Sequence, residues 1–177
     1  MEPTIRPVTL DDRLRYQEHV GRIRAESGHG DDAPFTPVTA ADRIDPSKLD
    51  FAVFALPLTE PKWRRAFAVV TEDGSFVGSC ELKGDEWRAG LHRCELGIGI
   101  ERPYRRLGLG RRLLEHAIDL ARASSTIEWI DLYVFGHNAP ARALYKSLGF
   151  QETGTVRDRF RIGGRSVDDV GMTLKIE

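Results

Sequence analysis

The 177-residue chain has few of the residues and patterns that mark several common protein classes. Its two cysteines, Cys80 and Cys94, are too few and too far apart for a disulfide framework or a zinc knuckle, and both lie in apolar runs typical of buried strands. The five histidines stand singly, without the spacing of metal ligands, so we expect no metal site. Basic and acidic residues nearly cancel, to a net charge of −1, so we expect no nucleic-acid partner.

Long apolar runs are also missing. No stretch reaches the roughly 20 apolar residues of a transmembrane helix, and residues 1–4 lack the basic and then apolar order of a signal peptide. We therefore expect a cytoplasmic protein without a membrane partner. A length of 177 residues suits one domain with a sizeable core, so the expected domain runs over residues 1–177.

The most informative feature that the chain does have is a glycine loop, Arg-Arg-Leu-Gly-Leu-Gly at residues 105–110. An apolar stretch over 94–100 predicts a strand before it, and apolar residues at helical spacing over 109–121 predict a helix after it. Free N–H groups at a helix N-terminus attract anions, and Gly108 and Gly110 leave the backbone open to a phosphate. The alternative for the glycines is a tight turn without a ligand. With its arginines, the loop predicts a diphosphate site.

Two common nucleotide motifs do not fit this loop. A Walker loop requires Lys and then Ser or Thr after its last glycine, where this chain has Arg111 and Arg112. The dinucleotide fingerprint requires a third glycine, which is missing here. The loop therefore belongs to neither motif.

Further motifs follow the loop in a fixed order. A predicted strand covers 127–135, N-x-x-A-x-x-x-Y runs from Asn138 to Tyr145, and L-G-F stands at 148–150. Together with R-x-x-G-x-G, this set over about residues 94–150 resembles the GCN5-related N-acetyltransferases, the GNAT family. The resemblance implies an α/β fold with a mixed, largely antiparallel central sheet, flanked by helices and with splayed central strands.

The rest of the chain predicts elements that fit such a fold. The predicted strands cover residues 4–8, 65–71, 75–82 (after a turn at Asp73-Gly74), 155–162 and 166–176. One helix begins after Thr9, with Asp12 as its acidic capping partner and Leu10, Leu14 and Ile23 on its apolar face; a second covers 39–49. By the resemblance, residues 1–91 shape the acceptor side, 92–150 bind acetyl-CoA, and 151–177 form a β hairpin.

The resemblance implies acetyl-CoA as the cosubstrate and assigns its contacts. Main-chain groups of Ile98 and Ile100 would pair with the pantetheine arm, and the loop would hold the diphosphate. The candidate loop residues are Arg105, Gly108, Leu109 and Gly110, and Arg106 and Arg111 are added only because they neighbour the loop. Asn138 would reach the pantetheine arm and also suits a helix N-cap, and the arginines also suit a solvated face. Gly97 and Gly99 fit a β-bulge or a close approach by a ligand, and the alternative is a simple packing requirement.

Transfer of an acetyl group to an amine requires a free amine, attack on the thioester and protonation of the leaving sulfur. The family match makes Tyr145 the candidate general acid, although its place in a stripe with Leu144 and Leu148 also suits a core residue. Glu95, on the predicted strand before the loop, is the candidate base; the alternative is a plain ion pair with an arginine such as Arg93. No Ser-His-Asp or Cys-His arrangement is evident from the sequence.

The acceptor is the least determined part of the site. Asp31, Asp32 and Asp42 are candidates to attract a cationic amine, and Phe35 and Trp87 are candidate apolar walls, although each also suits an ordinary surface or packing position. The acceptor classes that stay open are an amino acid, a polyamine, an antibiotic and a peptide N-terminus.

Three functions follow from these patterns. The first is an acetyl-CoA-dependent N-acetyltransferase acting on a primary amine. The alternative is a non-catalytic CoA-binding or sensory module, and a third, an RNA-associated protein, lacks the basic surface it would need. The alternating apolar residues over 170–176 predict a strand at a sheet edge, available to pair with a second subunit as a homodimer.

Overall fold

The computed structural model describes residues 3–29, 33–37, 42 and 50–177, and these contain one seven-stranded sheet. The strands are β1 (Thr4–Pro7), β2 (Arg64–Val70), β3 (Phe76–Gly84), β4 (Arg93–Ile100), β5 (Trp129–Phe135), β6 (Gln151–Ile162) and β7 (Arg165–Lys175). The helices are α1 (Arg13–Glu26), α2 (Leu109–Arg122) and α3 (Ala139–Ser147). The sheet order is β1-β2-β3-β4-β5-β7-β6, and only the β4–β5 pair is parallel. The predicted mixed, largely antiparallel sheet is confirmed. Apart from Asp42, the helix predicted over 39–49 lies outside the described residues.

Helix α2 forms where apolar periodicity predicts it. Its apolar positions are all buried: Leu109, Leu113, Leu114, Ala117, Ile118 and Ala121. They pack on the same face of the sheet as Cys80 and Cys94, which are buried free thiols, as expected. Burial of this stripe against β2, β3 and β4 holds the start of α2, and with it the glycine loop, at the end of β4.

Helix α1 buries a different face from the predicted one. Leu10 and Leu14 are exposed (52% and 68%), so their assignment to an apolar face is wrong. The buried residues of this helix are instead Tyr16, Gln17 and His19. The reason lies in the sheet beneath α1, where β3 presents polar side chains to this helix: Tyr16 hydrogen-bonds to Glu81, and His19 to Ser79.

The start of α1 agrees with the prediction. The Asp12 carboxylate accepts hydrogen bonds from the Thr9 N–H at 2.9 Å and from both terminal nitrogens of Arg6, at 2.6 and 2.8 Å. The Arg6 guanidinium is the main reason that the pKa of Asp12 lies well below its usual range. The predicted acidic capping partner of Thr9 is therefore confirmed.

The C-terminal strand β7 lies inside the sheet. It pairs with β5 on one side and with β6 on the other, and Val170 and Met172 are buried. The prediction that this segment forms a sheet edge is wrong, because β6, which precedes it in the chain, occupies the edge position.

Strands β4 and β5 separate along their length. Their parallel pairing joins residues 93–95 to residues 129–131, while β4 continues to Ile100 and β5 to Phe135. Over that remaining length β4 pairs with β3, and β5 pairs with β7. The predicted splay is confirmed, and it leaves a V-shaped opening between residues 96–100 and 132–135. We call this the β4–β5 opening.

Candidate functional site

The glycine loop places a helix N-terminus at the wide end of the β4–β5 opening. Gly108 has a φ of +76° and is the N-cap of α2, and a side chain there would meet nothing within 4 Å. The Arg112 N–H is bonded to the Gly108 carbonyl at 3.3 Å, so the N–H groups of residues 109–111 precede the first full helical bond. These groups and the positive end of the helix dipole suit an anion such as a diphosphate.

Gly110 has a different environment from Gly108. A methyl group there would lie 3.4 Å from Leu144 Cδ2 and 3.7 Å from Ile100 Cδ1, which are ordinary contact distances. The position therefore faces the junction of α3 and β4. The absence of a side chain at Gly110 keeps the space beside that junction clear, whereas the absence of one at Gly108 permits the left-handed backbone conformation.

The Arg105 side chain is held by groups within the protein. Its Nε donates to the Ile100 carbonyl at 2.8 Å, its guanidinium pairs with Glu26 on α1, and it lies over the Phe35 ring at 5.2 Å from the centroid. These contacts join the loop to α1 and to the end of β4. They favour a positioning role for this side chain over a direct contact with phosphate.

The other two candidate arginines lie nearer to solvent. Arg106 is exposed and has a φ of 64°. The Arg111 guanidinium donates to Ser147 Oγ at 2.7 Å, at the end of α3. Of the three candidate arginines of the loop, Arg106 therefore has the side chain that is most accessible to an anion at this helix end.

Glycines 97 and 99 have different reasons to be glycine. A side chain at Gly97 would meet nothing within 4 Å, so the sheet in front of it is open. A side chain at Gly99 would lie 3.0 Å from Ile23 of α1, closer than ordinary packing allows. Ile98 and Ile100 point to the opposite face and pack against the core beside α2. Gly97 thus leaves room for a ligand, whereas Gly99 lets α1 approach the sheet.

Helix α3 follows β5 and packs beside the start of α2 and the end of β4. Asn138 caps this helix, and its Oδ1 accepts from the Ala141 N–H at 3.3 Å, which leaves its NH₂ to donate elsewhere. Tyr145 is 7% exposed, and its ring lies 5.8 Å from that of Phe150. Burial raises the pKa of Tyr145 above its usual value, so the phenol stays protonated at neutral pH. Among the described residues, no group hydrogen-bonds its hydroxyl.

Glu95 lies at the narrow end of the opening, on the same face as Gly97. Its carboxylate pairs with Lys83 at 2.9 Å, and both side chains are about half exposed. Arg93, the partner suggested for Glu95, binds Asp131 instead, at 2.6 and 2.7 Å. The suggested ion pair between Glu95 and Arg93 is therefore wrong. Glu95 lines an open, strongly charged cleft of about 710 Å³.

A second cavity, of about 260 Å³, lies between α1 and the middle of β3 and β4; we call it the α1 cavity. Its polar lining includes Tyr16, His19, Ser79 and Glu81, and Gly97 and Gly99 form part of its wall. His19 Nδ1 lies 2.7 Å from Glu101 Oε1, and Nε2 lies 3.1 Å from Ser79 Oγ. The sequence shows no such triad because His19 lies 60 positions from Ser79 and 82 positions from Glu101.

The predicted acceptor residues are only partly brought together. Phe35 lines the α1 cavity, and Trp87, 75% exposed, lines the larger cleft. Asp42 is exposed, and Asp31 and Asp32 lie outside the described residues.

Two kinds of feature are absent from the part of the chain that the structure describes. Within residues 3–29, 33–37, 42 and 50–177, no three His, Cys, Asp or Glu side chains are grouped to hold a metal ion. In the same ranges, no helix combines the length and apolar character needed to cross a bilayer.

Known proteins share this sequence pattern and this fold. The family model described as "Acetyltransferase (GNAT) family" matches residues 36–150, more than half of the chain. The [ribosomal protein bS18]-alanine N-acetyltransferase of Escherichia coli K12 is 40% identical over 80 residues, which cover 45% of this chain and only 53% of that enzyme. The chain therefore matches about half the length of this curated relative.

Solved structures extend the likeness to the whole chain. The GNAT-family acetyltransferase of Streptococcus pneumoniae has a TM-score of 0.84 at 23% identity, covering 99% of this chain and 100% of that one. A GNAT superfamily phosphinothricin acetyltransferase from Sinorhizobium meliloti, in complex with acetyl-CoA, has a TM-score of 0.77 at 16% identity, covering 99% and 89%. At these identities the likeness shows the fold. With the family match over residues 36–150, the chain belongs to the GNAT family of acetyltransferases.

Proposed function

We propose that this protein transfers the acetyl group of acetyl-CoA directly to a primary amine of a small molecule or peptide. The observation that carries the proposal is the β4–β5 opening, which has the N-terminus of α2 at its wide side, with the buried, protonated Tyr145 on the helix that follows β5. An elongated thioester with a diphosphate at one end fits such an opening. The acetyl-CoA complex of the S. meliloti enzyme supports this choice of cosubstrate.

In this proposal the diphosphate binds the N–H groups of residues 109–111 and the Arg106 guanidinium. The pantetheine arm lies between β4 and β5 and pairs with main-chain groups of Ile98 and Ile100, which have no β5 partner in the parallel ladder. The NH₂ group of Asn138 donates to the same arm. No metal takes part.

The thioester then lies beside Gly97, where the sheet is open. The amine nitrogen attacks the carbonyl carbon, a backbone N–H of β4 stabilises the oxyanion, and the C–S bond breaks. Tyr145 acts as general acid toward the sulfur. Because burial raises the pKa of Tyr145, the phenol keeps its proton until the sulfur departs.

Glu95 is the base that the resemblance suggests, and its surroundings make it the weaker candidate. Its carboxylate already has a partner in Lys83, and both are half exposed, so its charge is screened by water. It also lies where β4 is still paired with β5, at the closed end of the opening.

An amine panel tests the proposal. Acetyl-CoA and purified protein are incubated with a peptide with N-terminal alanine, phosphinothricin, a polyamine, an aminoglycoside and single amino acids, and thiol release is followed with mass detection of the acetylated product. The first two acceptors are chosen from the names of the relatives. Acceptor-dependent release that falls sharply in Tyr145→Phe supports the proposal.

Two other results would favour different functions. Binding of acetyl-CoA by calorimetry, with no release on any acceptor, would favour the non-catalytic CoA-binding or sensory module. Binding of RNA but not of acetyl-CoA would contradict both.

A homodimer is a further part of the proposal. The edge strands of the described sheet are β1 and β6; with β7 inside, the C-terminal edge strand that we propose for pairing with a second copy is β6. Light scattering at and above assay concentration tests this, and a monomer throughout would contradict it.

A further inference from the structure

One titratable group in this fold is completely buried and has no part in the transfer described so far. His19 is 0% exposed, on the face of α1 that covers the sheet. Both of its ring nitrogens have oxygen partners, Glu101 at 2.7 Å and Ser79 at 3.1 Å. Burying a histidine between a carboxylate and a hydroxyl costs desolvation, and an apolar residue would fill the space without that cost. The arrangement therefore calls for a chemical reason.

The hydrogen bonds fix the direction in which a proton can move. A carboxylate only accepts, so Nδ1 carries the hydrogen that is donated to Glu101. Nε2 then holds a lone pair and accepts from the Ser79 hydroxyl. Arg22 donates to the same Glu101 oxygen at 3.0 Å, so this carboxylate has a cationic partner besides the imidazole. A proton that reaches Ser79 can therefore pass to His19.

Ser79 connects this group to the proposed reaction site. It lies opposite Gly99 on β4, and Glu81, two residues further on β3, lies opposite Gly97. Ser79, His19 and Gly97 all line the α1 cavity. The cavity thus shares a wall with the strand segment that leaves β5. An amine that approaches a thioester beside Gly97 from the α1 side enters the cavity into which Ser79 opens.

Charged groups from each surrounding element act on His19. They are Arg22 and Glu26 on α1 and Glu101 after β4. Arg24 on α1 and Glu81 on β3 line the same cavity. Burial is the largest effect and lowers the pKa of His19 below its usual value, which the Glu101 hydrogen bond only partly offsets. The imidazole is neutral at pH 7 and free to accept a proton.

We propose that Ser79, His19 and Glu101 form a proton relay that deprotonates the acceptor amine. This inference rests on the proposed acetyltransferase function. The acceptor enters as an ammonium and gives one N–H proton to Ser79 Oγ, directly or through one water, while the Ser79 proton moves to His19 Nε2 and Glu101 stabilises the imidazolium. The resulting amine attacks, the N–C bond forms, the C–S bond breaks and Tyr145 gives its proton to sulfur. The second N–H proton of the acceptor passes through water to the Tyr145 oxygen, and the proton on His19 returns to solvent through Ser79. Ser79 is the catalytic residue, and His19 and Glu101 are positioning residues.

The test compares Ser79→Ala, His19→Gln and Glu101→Gln with the wild type. The turnover number kcat is measured at saturating substrates from about pH 6 to about pH 10, a range that spans the usual pKa of histidine and of an alkyl amine. The matched control is Gln17→Met, which changes another buried polar residue on the same helix. Acetyl-CoA affinity and melting temperature are recorded for every variant.

The relay predicts that the loss of kcat in the Ser79 variant depends on pH. Near pH 7, kcat of Ser79→Ala falls by about a hundredfold or more, the usual contribution of a general base. The loss narrows to a few-fold as the pH passes the pKa of the acceptor, because the free amine no longer needs a base. Acetyl-CoA affinity in Ser79→Ala and kcat in Gln17→Met stay close to those of the wild type.

Other outcomes would overturn the inference. An equal loss at every pH, or no loss in Ser79→Ala, would mean that the three residues only fasten α1 to the sheet. Ser79→Ala keeps the test decisive if the His19 variant does not fold. If the wild type is active and either result is found, only the relay is contradicted. If the wild type is inactive on every acceptor, the proposed function is contradicted as well.

Discussion

The diphosphate assignment of the glycine loop is tested best at Gly108, with a pair of substitutions that have nearly the same shape. Asn and Asp both tolerate a positive φ, both suit a helix N-cap, and a side chain at this position meets no other atom within 4 Å. They differ in charge. Gly108→Asn therefore measures the effect of the side chain itself, and the comparison with Gly108→Asp measures the effect of a carboxylate at the proposed phosphate site.

The stability of the two variants is expected to be similar. A non-glycine residue at a left-handed φ lowers the free energy of unfolding by about 1–2 kcal/mol, and the N-cap hydrogen bond returns part of this. A change of about 1 kcal/mol corresponds to roughly 2–4 °C in Tm for a chain of this length. Both variants should therefore fold.

The affinity for acetyl-CoA should separate them. At about 6 Å, with an effective dielectric constant between about 20 and 80, one carboxylate repels one phosphate charge by about 0.7–3 kcal/mol. Since 1.4 kcal/mol is a factor of ten, and a diphosphate carries more than one charge, Gly108→Asp should bind at least tenfold more weakly than Gly108→Asn.

Calorimetry at low and high salt is the assay. The Debye length falls from about 10 Å at 0.1 M salt to about 3 Å at 1 M. The dissociation constant of Gly108→Asp, divided by that of Gly108→Asn, should therefore decrease as the salt concentration rises. Equal dissociation constants for the two variants at low salt would refute the phosphate assignment, and a ratio independent of salt would refute its electrostatic explanation.

Three further predictions follow from contacts in the structure. Tyr145→Phe keeps the ring and removes the hydroxyl, so kcat should fall about a hundredfold with acetyl-CoA affinity and Tm nearly unchanged; normal kcat would identify a core residue. Glu26→Gln removes the ion pair of Arg105, so acetyl-CoA affinity by calorimetry should fall several-fold; unchanged affinity would remove the positioning role of that arginine. The pKa of Asp12 lies below that of the unfolded chain, so its stabilisation is present above about pH 4 and is lost as the pH falls further. Tm should drop less in Asp12→Asn than in the wild type over that acid range, and parallel curves would contradict this.

The sequence predicts the segment from β4 to α3 well because its signals are local. The apolar stripe of α2, the left-handed Gly108 and the N-cap at Asn138 each depend on residues a few positions away. The position of β7 was predicted wrongly because strand order is decided by which distant segments pair. An alternating strand can lie at an edge or inside a sheet with the same pattern of residues.

The error in α1 and the missed triad have one physical cause. Apolar periodicity assumes that the buried face of a helix meets an apolar surface, whereas α1 covers a part of the sheet that presents Ser79 and Glu81. Its buried face is therefore polar, and Leu14 is left in solvent. The helix still lies close to the sheet, because Gly99 has no side chain to hold Ile23 away. Two features together therefore indicate a polar cavity: a helix with weak apolar periodicity but well-marked ends, and a strand with glycines opposite it. In this chain, the cavity between two such elements contains His19.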